Sequence, residues 1–80
     1  MDPGLQFSSI DKLRKWLAGR IEVMIDNNFQ GLLNMLYRID VDENKVKMAF
    51  SASEPADELA MLVIDRELQK AALRKKYRGE

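Results

Sequence analysis

The sequence predicts an all-α fold, a single domain over residues 1–80 that forms a small bundle of four helices, two long and two short. Apolar residues recur at steps of three and four along most of the chain, which is the spacing of one face of an α-helix. Ser, Asn and Asp residues precede these segments, where their side chains can cap helix N-termini. Only one segment also fits β-strands, and no third strand pattern exists elsewhere to extend it.

The first predicted helix is amphipathic and about five turns long. Residues 1–7 contain a proline and a glycine without periodicity, so we expect a loose N-terminal arm. Ser8 or Ser9 supplies the N-cap. Trp16 flanks the apolar stripe, which predicts a position at the edge of the core, between this helix and its neighbours. The stripe consists of Ile10, Leu13, Leu17, Ile21 and Met24.

The second predicted helix is short and follows almost directly. Asn27 and Asn28 interrupt the apolar pattern, and asparagine suits both the C-cap of one helix and the N-cap of the next. Residues 29–38 then form a helix with one apolar face. Gly31 within this helix costs up to ~1 kcal/mol relative to alanine, unless it permits a close contact with another helix.

The segment 39–50 fits two structures. As a hairpin, it has alternating apolar and polar residues on either side of a polar turn, and the fold would then be α+β. As a helix, it begins with Asp42 as the N-cap, and Val41 and Val46 form a hydrophobic staple across that cap. We favour the helix because an isolated two-stranded hairpin is only marginally stable in water.

The last predicted helix is the longest, and it changes character along its length. A boundary at residues 51–55 precedes it, and it is expected to run from Pro55 to about Tyr77. Residues 59–64 are apolar on every side of the helix axis, so this stretch needs cover all round. At 1.5 Å per residue the last helix is about 34 Å long and the second about 15 Å, so the short helices do not cover it end to end.

This pattern predicts self-association, with a symmetric dimer built mainly on the last helix, although an unknown protein partner also fits. A narrow heptad-like seam follows one side of the helix, and a second apolar face lies opposite it over the first two turns. In a monomer the short middle helices would have to cover that second face, because soluble monomers avoid large apolar patches. The candidate interface residues are Leu59, Met61, Leu62, Val63, Ile64 and Leu68.

The charges balance overall but are unevenly placed. Thirteen basic and thirteen acidic residues cancel, which argues against a dedicated nucleic-acid binder. Residues 40–65 hold seven acids and two bases, whereas residues 66–80 hold six bases and two acids, an asymmetry that favours pairing of like chains. The alternative function is a nucleic-acid-binding accessory protein. Its phosphate contacts would be Arg74, Lys75, Lys76 and Arg78.

The sequence contains no histidine and no cysteine, the residues best suited to base, nucleophile or transition-metal chemistry near neutral pH. We therefore expect no enzymatic activity, no cofactor and no metal. Asp40 and Asp42 imitate the opening of an EF-hand calcium loop. Lys45, however, occupies the position of the turn glycine, and Ser51 that of the bidentate glutamate, so we expect no calcium binding at physiological levels.

Four stretches read NNF at residues 27–29, LYRIDV at 36–41, PADE at 55–58 and DRELQK at 65–70. They resemble stretches of small uncharacterised helical bacterial proteins, over about residues 10–77. The resemblance implies an all-helical, cytoplasmic, non-enzymatic domain and supplies no functional residues. A cytoplasmic location is also the expectation from the residues themselves. No segment approaches the ~18 apolar residues of a membrane span, and the N-terminus lacks the order of a signal peptide.

Overall fold

The computed structural model describes the backbone of residues 9–78 and the side chains of residues 9–74. The predicted loose arm at residues 1–7 lies outside these described residues. Within them the chain forms four helices, which confirms the all-α fold: α1 (Ile10–Asn27), α2 (Phe29–Ile39), α3 (Glu43–Phe50) and α4 (Pro55–Arg78). The described part of the chain contains no strand, and the hairpin considered for residues 39–50 is replaced by α3.

Asn28 both ends α1 and begins α2. Its backbone N–H donates to the carbonyl of Met24 at 2.8 Å, which closes the last turn of α1. Its side-chain oxygen accepts the N–H of Gly31 at 3.1 Å, which caps the first turn of α2. One residue therefore separates the two helices, in the double role that the sequence predicts for asparagine here.

The turn between α2 and α3 is three residues long. Asp40 has a left-handed backbone with φ of 68°, and its N–H donates to the carbonyls of Leu36 and Tyr37, which closes α2. A short polar side chain tolerates this conformation better than most residues do. The Asp42 carboxylate then accepts the N–H of Asn44 at 2.8 Å and caps α3, as predicted.

α1 and α4 run antiparallel. Arg14 lies near the start of α1, and its Nε is 3.2 Å from a carboxylate oxygen of Asp57, while its Nη1 is 3.7 Å from the sulfur of Met61. Asp26, at the end of α1, lines a cleft together with Glu54, which precedes α4. Later residues of α1 thus lie beside earlier residues of α4. Arg14 therefore contacts the first two turns of α4, and the helix continues well past these contacts, to Arg78.

The core lies where the first half of α4 meets the other three helices, all of which contact α4. Its fully buried large side chains are Ile21 of α1, Leu32 of α2 and Leu59 of α4. Trp16 is 55% exposed, nearer the surface than the predicted position between helices. The reason is the direction in which Trp16 points from the axis of α1. At about 100° per residue, Trp16 points about 140° away from Ile21, which marks the core side of α1.

Alanine is expected to change the free energy of unfolding differently at the two glycines that lie in helices. A Cβ at Gly19 would meet no atom within 4 Å, so Gly19→Ala is expected to raise the free energy of unfolding by about 0.5–1 kcal/mol. A Cβ at Gly31 would overlap the amide of Asn28, which caps α2. Gly31→Ala is therefore expected to give no gain or a loss of about 1 kcal/mol. Urea denaturation measures both, and equal stabilisation would contradict this role of Gly31.

Candidate interaction surfaces

The structure places most of the candidate interface of α4 inside the chain itself. Three of its residues are buried by the other helices: Leu59, Val63 and Ile64. Met61 and Leu62 are half-buried. Leu68 differs from all of these, because 53% of its surface is exposed. The second apolar face of α4, which we expected to need a partner, is therefore largely covered within one chain.

The short helices can cover residues 59–64 because this stretch is itself short. Six residues of helix rise only about 9 Å, a length that a helix of two or three turns spans. Both α2 and α3 contact α4, and buried side chains from both belong to the same core cluster. The short helices do not cover α4 end to end, as the sequence indicated. They only need to cover its apolar first half.

The second half of α4 projects beyond this core, and we call residues 67–78 the overhang. Its described side chains are exposed, apart from Lys70, which is half-buried with its Nζ 3.6 Å from a carboxylate oxygen of Glu67. Leu68 lies on one side of the helix, together with two alanines at 71 and 72. Leu73 is also about half exposed and points about 140° further round. The overhang therefore presents leucine to solvent on two sides.

The overhang is also the basic part of the chain. Residues 67–78 contain five bases and one acid, Glu67. Arg74, one of the four predicted phosphate contacts, is exposed. The side chains of the other three, Lys75, Lys76 and Arg78, lie outside the described part of the structure, so their arrangement stays a prediction.

An acidic turn lies beside α4 just before the overhang begins. Asp40, Asp42 and Glu43 are all exposed there. Arg66 of α4 reaches this turn, with its Nη2 3.3 Å from a carboxylate oxygen of Asp40. The acids that imitate a calcium loop thus have structural roles, pairing with Arg66 and capping α3. Among the described residues, no group of three or more acidic side chains is arranged to hold a metal ion.

An open apolar groove of about 350 Å³ lies between α2 and α3. Its apolar lining consists of Leu33, Leu36, Val41 and Val46. Tyr37, which is 78% exposed, stands at its rim together with Glu43 and Lys47. The sequence analysis missed this groove. Its signal was the pair Leu33 and Tyr37, one helical turn apart, which give α2 a second apolar side beyond the one that enters the core.

A cleft of about 690 Å³ separates α1 from the start of α4. Acidic side chains dominate its lining: Glu22, Asp26, Glu54 and Asp57. Lys15 also lines it, and Asp57 is engaged by Arg14. This lining disfavours anions by charge repulsion, so the cleft is a poor candidate for binding phosphate.

Comparisons with protein families, curated proteins and solved structures give no significant match to this chain. None of the described helices combines the length and hydropathy required to cross a bilayer. Three surfaces of the described residues remain as candidates for binding a partner: the overhang, the acidic turn and the α2–α3 groove.

Proposed function

We propose that this chain is a non-enzymatic protein-interaction module that self-associates through the overhang of α4. The observation that supports this is the exposure of Leu68 and Leu73 on a helical segment that projects from the core. Large apolar side chains that are exposed on a projecting helix offer surface that a partner can cover. An eighty-residue domain also buries a smaller fraction of its surface than a large one, so it gains proportionally more from a partner.

Nucleic-acid binding by the basic residues of the overhang is the second candidate. The exposure of Arg74 and the excess of bases in residues 67–78 favour it. The zero net charge of the chain and the acidic turn beside α4 oppose it, because both weaken the positive field that attracts phosphates. We therefore rank self-association first.

The test of self-association compares two charge substitutions at exposed apolar positions. At concentrations on the order of tens of micromolar the unaltered chain is expected to have the mass of a dimer. Leu68→Glu is expected to reduce it to a monomer while keeping the helical circular dichroism, because Leu68 is already half exposed. The matched control is Val23→Glu, an equally exposed position on α1, which should leave the mass unchanged.

Light scattering coupled to size exclusion gives the masses. A folded wild-type chain that stays monomeric over this range would refute the proposal. If that monomer also bound DNA or RNA with a strong salt dependence, the nucleic-acid alternative would replace it.

A further inference from the structure

We propose that the overhang of one chain docks in the α2–α3 groove of a second copy. This inference rests on the proposed self-association and names the surface that receives the overhang. Each chain has one overhang and one groove, so a two-fold axis that places each overhang in the partner's groove makes a closed dimer.

The apolar parts of the two surfaces match. The groove is lined by Leu33, Val41 and Val46, and its volume of about 350 Å³ lies near the lower end of the ~300–1,000 Å³ range of binding pockets. It therefore suits a few inserted side chains. Leu73 and Leu68 of the overhang are half exposed, and because they lie about 140° apart round the helix, each would face a different wall of the groove. Docking would also cover Tyr37, whose ring is largely exposed at the rim of the groove.

The overhang is basic, and the turn that borders the groove is acidic. The groove borders the acidic turn, since Val41 of that turn lines the groove, and the rim itself carries one acid, Glu43, and one base, Lys47. The overhang carries five bases and one acid. An arginine of α4 already pairs with this turn within the chain, because Arg66 lies 3.3 Å from Asp40. Arg74 of a second copy would make the same type of contact with an acid that remains exposed, such as Glu43.

Charge also distinguishes this arrangement from direct pairing of two overhangs. Two overhangs packed on each other would bring two groups of five bases together, and juxtaposed like charges oppose association. In the docked arrangement each overhang lies beside the acidic turn of the other chain, so its bases face acids instead of bases. Because acidic and basic surfaces occur on the same chain of zero net charge, a second copy supplies the complement of both.

Cysteine cross-linking tests the docking, since the chain has no cysteine of its own. Leu73→Cys protein is mixed with Tyr37→Cys protein, and in a parallel experiment with Lys47→Cys protein, which places the thiol on the α3 rim. A short bismaleimide then joins thiols that lie close together. The control mixes Leu73→Cys protein with Glu22→Cys protein, whose exposed thiol lies on α1. Each protein has a single cysteine, so any cross-link joins two chains.

The expected result is a mixed 73–37 or 73–47 cross-link at least about fivefold above the Glu22→Cys control. Charge reversal gives a second measurement. Glu43→Lys is expected to weaken the dimer about tenfold, and Arg74→Glu in the same chain to restore part of the affinity. A dimer that yields only 73–73 cross-links, or no rim cross-link above the control, would overturn the docking and leave the proposed self-association standing. A monomeric wild-type mass would instead overturn the self-association on which the docking rests.

Discussion

Ile21→Ala is expected to lower the free energy of unfolding by about 2–5 kcal/mol, the largest loss from any single truncation on α1. Ile21 is 0% exposed and packs in the cluster that joins α1 to Leu32 of α2 and Leu59 of α4. Alanine removes apolar surface from this junction and leaves a cavity that three helices must close together. Since small domains have only about 5–15 kcal/mol of stability in total, the variant should lose a large part of its stability.

The control for this experiment is the same substitution on the same helix. Ile10 is about half exposed at the start of α1, so Ile10→Ala is expected to cost less than about 1 kcal/mol. Urea denaturation monitored by circular dichroism measures both variants. Similar losses at the two positions would mean that Ile21 is not the point where the helices meet.

The helices and their ends follow from local interactions, and the sequence predicts them for that reason. Asn28 and Asp42 cap helices through hydrogen bonds to backbone groups two or three residues away. Such contacts depend only on the residues around the cap. The same argument selected a helix for residues 43–50, where the cap at Asp42 is formed.

Whether other helices of the chain bury residues 59–64 depends on how the helices are arranged in space, and the sequence does not show this arrangement. The comparison of lengths was correct, but the stretch that needs cover all round, residues 59–64, is much shorter than α4. Helix α4 is apolar all round only in its first half, and two short helices suffice for that half. The part of the heptad-like seam that stays exposed to a partner is therefore limited to the overhang, which begins just before Leu68.

The α2–α3 groove could not be found from the sequence for a related reason. Its width depends on the angle between two short helices, and the left-handed backbone of Asp40 sets how the chain turns between them. A pattern of apolar residues shows that Leu33 and Tyr37 share a side of α2. It does not show whether α3 covers that side or leaves it open.

The second large loss of stability is expected on α4, at the boundary between the buried core and the exposed overhang. Ile64 and Leu68 lie on the same side of α4, one helical turn apart, yet Ile64 is 4% exposed and Leu68 53%. Ile64→Glu would bury a carboxylate without a partner, at a cost of several kcal/mol, comparable to the whole stability of a small domain. We expect this variant to lose its helical circular dichroism and its cooperative thermal transition.

Leu68→Glu is the matched variant, because it places the same charge one turn later on the same side. Its carboxylate can stay in water, so we expect a folded chain whose thermal transition, measured where the protein is monomeric, lies close to that of the wild type. The two variants together locate where α4 leaves the core. If Ile64→Glu also folded and merely changed the mass, Ile64 would belong to the interface between chains, and the core would end before it.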